Sequence, residues 1–164
     1  MKTILVLYSY HHHNTEKIAR VFAEVLDAQI KAPQQIEHED IREYDLIGFG
    51  SGIYDGKHHK SLLELADSLA QVKNQKAFIF STDGAPRRLT KHDPSFEETI
   101  LSKNHSLLRE KLQYKGYVIV AEFNCGGFNT NSFLKLFGGI NKGRPNVEDL
   151  INAKNFATSL KGKL

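Results

Sequence analysis

The chain has 164 residues, 22 Lys/Arg against 19 Asp/Glu for a formal net charge of +3, and a single cysteine. That length supports one domain spanning residues 1–164 with a core of its own, and the lone Cys125 excludes an intramolecular disulfide and fits a reducing, cytoplasmic setting. No apolar run approaches the roughly 20 residues of a membrane span, and the first one is too short for a signal peptide, so no membrane insertion is expected.

The basic excess is unevenly placed. Residues 1–114 hold 15 Lys/Arg and 16 Asp/Glu, whereas residues 115–164 hold 7 and 3. No dense basic stripe or nucleic-acid module accompanies it, and nucleic-acid binding is not expected.

In chain order, Ile4–Tyr8 is an unbroken apolar run that stops at Ser9. A polar loop, Tyr10-His11-His12-His13-Asn14-Thr15, follows and opens into a helical stripe of Ile18, Val21, Phe22, Val25 and Leu26. A strand feeding a helix N-terminus forms an anion pocket, because the first backbone N–H groups lack intrahelical partners and the helix dipole favours negative charge there. Ser9, Asn14 and Thr15 add side-chain donors, and one of the three histidines is expected to donate as well. Consecutive loop histidines do not converge easily on one ion, and no neighbouring carboxylate or thiol completes a set, so no metal is expected.

A weak strand around 29–31 precedes a stronger one, Leu46–Gly50. Gly48-x-Gly50-x-Gly52 resembles a dinucleotide fingerprint but has Asp55 where the third glycine belongs, and it follows the wrong strand. Gly48 and Gly50 are read as close strand packing. In the loop beyond, Tyr54 is placed to stack on a planar ring, and His58 and His59 are expected to face solvent. Leu62, Leu65, Ala66, Leu69 and Val72 form the second helical stripe, with Ser61-x-x-Glu64 as its capping box.

Ala77–Phe80 is the next strand, and Ser95-x-x-Glu98 behind Pro94 caps a helix bearing Leu107, Leu108 and Leu112. Tyr117–Phe123 is the fifth strand. Asn146, with Asp149 three residues on, caps a final helix with Leu150, Ala153, Ala157 and Leu160 inward. Most strands are continuous apolar runs, as in parallel sheets covered on both faces. The alternation gives an open α/β sheet with right-handed crossovers. Its ligand site lies outside the carboxyl ends of the strands, at loops 9–14, 51–60 and 81–95. No Walker A sequence and no Ser–His–Asp or Cys–His order stands out, and Cys125 is read as a structural thiol.

Ser9 to Thr15 with Glu16-Lys17-Ile18-Ala19, and Tyr44-Asp45-Leu46-Ile47-Gly48-Phe49-Gly50-Ser51-Gly52-Ile53-Tyr54, together resemble a flavodoxin. Lys76 to Gly84 resembles that family's third flavin loop, and Gly139 to Asn146 resembles a segment of prokaryotic flavodoxin-domain proteins. The resemblance covers nearly the whole chain. It implies a flavodoxin-like three-layer sandwich, with a five-stranded parallel sheet of order 2-1-3-4-5 and helices on both faces, holding non-covalent FMN. By resemblance, Ser9, Asn14 and Thr15, with the Tyr10, His11, His12 and His13 loop between them, hold the phosphate. Ser51, Gly52, Ile53 and Tyr54 flank one side of the flavin ring, and Thr82, Asp83 and Gly84 the other.

The activity implied is that of a low-potential electron carrier, a monomer serving redox-partner proteins, with no catalytic acid or base required of it. The basic C-terminal third of this chain adds an expected preference for partners with acidic docking faces. An NAD(P)H-dependent quinone or flavin reductase, or a porphyrinogen-type oxidase, remains open on the same fold, with Arg87, Arg88 and segment 124–144 as candidate substrate walls. So does a binding module without flavin.

Overall fold

A computed structural model describes residues 1–36, 41–86, 94–130, 134, 136 and 138–162. Its strands are β1 (Thr3–Tyr8), β2 (Ala28–Lys31), β3 (Leu46–Tyr54), β4 (Lys57–His58), β5 (Gln75–Asp83) and β6 (Tyr117–Gly126). The helices are α1 (Asn14–Leu26), α2 (Lys60–Ser68), α3 (Pro94–Tyr114) and α4 (Val147–Lys161). The parallel sheet runs β2-β1-β3-β5-β6, and β4 pairs antiparallel with the end of β3. Without that two-residue hairpin strand, the order is the expected 2-1-3-4-5. The expected Leu46–Gly50 strand therefore continues four residues further, to Tyr54.

Period-2 alternation divides each central strand between two cores. Leu5, Leu7, Phe78 and Phe80 face α1 and α4, where they meet Ile18, Phe22, Leu26, Ala153, Ala157 and Leu160. Ile4, Val6, Ile47, Phe49, Ala77 and Ile79 face α2 and α3, through Leu62, Leu65, Ala66, Leu108 and Leu112. Gly48 and Gly50 let the sheet tolerate large rings. A Cβ at Gly48 would stand 2.5 Å from the Phe78 ring, and one at Gly50 would run into Phe80. The outer strands depart from the doubly covered pattern: β2 has no fully buried residue, and Val118 on β6 is exposed.

Two helix starts differ from expectation. The N-cap of α2 is His59, whose Nδ1 accepts the Ser61 N–H at 3.2 Å; Ser61 is already inside the helix. Ser95 likewise lies inside α3, which begins at Pro94. For α4 the box forms as expected, with Asn146 Oδ1 accepting from Asp149 N–H and Asp149 Oδ2 accepting from Asn146 N–H. Among the described residues no helix is long and apolar enough to cross a membrane.

Candidate functional site

A cleft opens at the carboxyl ends of β1, β3 and β5, where α/β sheets place their ligands. The three expected loops all reach it, through Ser9 to His11 and Asn14–Thr15, Gly52 to Tyr54, and Thr82 to Gly84. A fourth wall, Gly127 to Asn129, was expected only as part of a substrate wall in the reductase alternative. Backbone bonds hold it in place. Gly127 N–H donates to Asp83 O at 2.7 Å, Phe128 N–H to Arg144 O at 3.1 Å, and Asn129 exchanges both bonds with Ile140.

At the base of the cleft, α1 is latched to the sheet by its first turn. The Thr15 and Thr82 hydroxyls, both buried, lie 2.9 Å apart. Ser9 Oγ accepts the Glu16 N–H at 3.2 Å, which leaves the Ser9 hydroxyl proton free to donate. Asn14 donates from Nδ2 to Phe128 O at 2.8 Å. Its Oδ1 is buried and has no partner.

His12 and His13 hold the loop in left-handed conformations, with φ of 54° and 51°. Such backbone is costly for a residue with a Cβ and persists where its surroundings over-determine it. The three rings go separate ways. His11 lies 6.3 Å from the Tyr54 ring, His12 Nε2 lies 2.8 Å from Thr130 Oγ1, and His13 Nδ1 lies 2.8 Å from Glu16 Oε2. Of the three, only His11 lines the cleft.

Ser51 is fully buried and does not line the cleft, unlike the other expected residues of its loop. The Asp55–Gly56 turn, with φ of 50° and 74°, reverses the chain in two residues and folds β4 back on β3. This fold overturns the expectation that His58 and His59 face solvent. His58 is 1 % exposed, with Nδ1 2.9 Å from Ser51 Oγ. The His59 ring stacks on Tyr8 at 3.6 Å and 4°. Tyr54 sits at the end of a strand and is half-buried, with its ring folded back over Gly52. Burial, and to a lesser degree Tyr8, pushes its hydroxyl pKa up. Arg87 and Arg88 lie outside the described residues.

Beneath the cleft, on the α2/α3 side, strand register aligns Tyr8, Ser51, Ser81 and Asn124 in one row across the sheet. Ser81 Oγ lies 2.7 Å from His105 Nε2, and His105 Nδ1 lies 2.9 Å from Glu122 Oε2. Arg109 Nε donates to Glu122 Oε1 at 2.5 Å. This is the Ser–His–carboxylate order that the sequence reading did not find. Ser81 and His105 are fully buried, so this serine is closed to any substrate. One signal in the sequence could have found it, since His105 shares a helical stripe with Leu108 and Leu112. Burial alone would raise the Glu122 carboxyl, but the hydrogen bonds from Arg109 and His105 outweigh it and hold the pKa at about 2.

A flavodoxin-domain family model matches residues 5–125. The chain belongs to the flavodoxin family. An uncharacterized protein of Methanocaldococcus jannaschii is 46% identical over 160 residues, covering 98% of each chain. Among solved structures, oxidised Flavodoxin 2 from Bacillus cereus superposes with a TM-score of 0.69 at 18% identity, over 100% of both chains. The Fusobacterium nucleatum flavodoxin bound to flavin mononucleotide gives 0.64 at 13% identity, over 100% of this chain and 99% of that one. At these identities the two structures bear on the fold alone, and they agree with the β2-β1-β3-β5-β6 sheet of this flavodoxin-family chain.

Proposed function

We propose that this protein binds FMN in the cleft and serves as an electron carrier, accepting and passing electrons singly. The observation that carries the reading is the cleft itself, built by three loops at the carboxyl ends of β1, β3 and β5 with the first turn of α1 at its base. The donor chemistry fits the cofactor. The α1 N-terminus and the free Ser9 proton suit a phosphate. The unpartnered Asn14 Oδ1 suits a hydroxyl of the ribityl chain. A Cβ at Gly127 would stand 2.8 Å from Asn14 Nδ2, so the fourth wall closes onto the phosphate loop only with glycine there.

When bound, FMN supplies the one- and two-electron chemistry. Ser9, Thr15 and the loop amides would hold its phosphate. Gly52 to Tyr54 and Thr82 to Gly84 would exclude water from the two sides of the ring. Tyr10, 68% exposed, stands at the mouth. Redox-partner proteins would approach there, and a monomeric cytoplasmic carrier suits that geometry.

One feature favours a second reading, an FMN-dependent reductase. A cavity of about 340 Å³ adjoins the cleft, shares Tyr10, His11 and Tyr54 with it, and adds Tyr8, Asp55, Lys57, His58, His59 and Lys60. A planar substrate would fit such aromatic walls. Stepwise dithionite reduction of the FMN-loaded protein, followed by its visible spectrum with and without NADPH, separates the two. The carrier reading expects two resolved one-electron steps and no bleaching by NADPH. Rapid bleaching by NADPH with quinone turnover would replace it with the reductase.

A further inference from the structure

The buried polar row assigns protons to both histidines beneath the cleft. Ser51 Oγ accepts the His59 N–H at 3.0 Å and donates its one proton to Gly52 O at 2.7 Å. With both of those bonds made, Ser51 Oγ is left to accept from His58 Nδ1, 2.9 Å away, which assigns the hydrogen to Nδ1. Its Nε2 is then a bare lone pair, and it is buried without a partner. His105 is assigned by the same logic. Asn124 Nδ2 donates to Ser81 Oγ at 2.7 Å, the Ser81 proton goes to His105 Nε2, and His105 Nδ1–H goes to the Glu122 carboxylate. The basic nitrogen of His105 is engaged. That of His58 is open.

His58 is also well placed to sense charge in the cleft. It sits directly across the β3–β4 pair from Ile53, a cleft residue, and its ring lies 5.0 Å from that of His105. The groups that act on it are His105 from α3 and Glu122 from β6, with Lys57 and His59 as chain neighbours. Glu122 and Arg109 compensate each other as an ion pair. Burial, reinforced by His105 and opposed by Glu122, pushes the His58 pKa well below its usual value, so the resting ring is neutral. A negative charge arriving nearby acts in the opposite sense, and it acts more strongly on a buried ring than on an exposed one.

We propose that His58 is the proton acceptor coupled to reduction of the cofactor in the cleft. One electron passes from the redox partner to the flavin, and one proton from solvent forms the Nε2–H bond of His58. The pair of sites then gains no net charge, and both particles leave on reoxidation. The exposed Asp55–Gly56 turn and the two-residue β4 give the proton a short route, since opening this hairpin breaks few bonds. Tyr54 is not the acceptor, because its hydroxyl already carries its proton and is held protonated.

The inference rests on the FMN reading, and one experiment addresses both. Histidine ring nitrogens are read by ¹⁵N NMR in the apo, FMN-loaded and dithionite-reduced protein from about pH 5.5 to 8, the range in which histidines titrate. The expected result is an Nδ1–H tautomer for His58 in the apo and oxidised protein, and a doubly protonated ring once the flavin is reduced. The flavin's reduction potential, measured over the same range, should fall with pH in the wild type and less steeply in His58→Gln. If that variant does not fold, the wild-type nitrogen shifts decide alone. FMN that binds and is reduced while His58 stays neutral overturns this inference and leaves the FMN reading standing, as does an unchanged pH slope in His58→Gln. Failure to bind FMN overturns both.

Discussion

On the α1/α4 face β5 and β6 carry Phe80, Phe123 and Cys125 in their second halves, whereas on the α2/α3 face β3, β5 and β6 carry Ser51, Ser81 and Asn124. The difference follows from what packs over each. Phe22 of α1 meets Phe78, Phe80, Phe123 and Phe156 at ring-centroid separations of 5.2 to 5.7 Å, all apolar contact. The other face receives the β4 hairpin and α3, which bring His58 and His105 against the serine row. Apart from the Thr15–Thr82 hydroxyl contact at its cleft end, the first face holds the sheet by apolar burial. The other joins the sheet to the cleft through groups whose charge can change.

The largest break in that comparison is Phe22→Ala. Removing a fully buried ring from this cluster should cost about 3 to 5 kcal/mol. Denaturant unfolding should show the same loss at neutral and mildly acid pH, because no titrating group is involved. A loss that varied strongly with pH would mean that the two faces are not separable in this way.

On the polar face the decisive group is Glu122, with its pKa of about 2 against an ordinary 4.5. Because the folded value is the lower one, the unfolded chain binds more protons between these limits. The contribution is complete above about pH 4.5 and is lost as pH falls towards 2. Discounted for screening at its partly open edge, it amounts to about 2 kcal/mol. Glu122→Gln should therefore lower stability by about that amount at neutral pH and flatten the acid limb of the stability curve. An acid limb identical to wild type would remove Glu122 from the account.

How much of this was legible in the sequence depended on the range of the interactions. The β1–α1 passage, the burial of Leu5 and Val6 on both faces of β1, the packing role of Gly48 and Gly50 and the Asn146–Asp149 cap are local patterns, and each was readable. The Gly127 to Asn129 wall was not assigned to the ligand cleft, because Arg144 and Ile140, residues 11 to 16 positions away, hold it there. His58 reads as loop until the Asp55–Gly56 turn is recognised as a hairpin, after which alternation puts it inside. Ser61 looked like a cap because the true one, His59, is a residue type that rarely caps.

The central claim is that the cleft takes FMN by its phosphate, at the first turn of α1. The most direct test is fluorescence titration of the apo protein with FMN and, separately, with riboflavin, which has the ring and ribityl chain but no phosphate, repeated in Thr15→Ala. The account predicts one FMN per chain, clearly weaker riboflavin binding, and a loss of about 1 to 3 kcal/mol in FMN affinity for the variant, with its riboflavin affinity less affected. Equal affinity for FMN and riboflavin, or no binding of either, would contradict it.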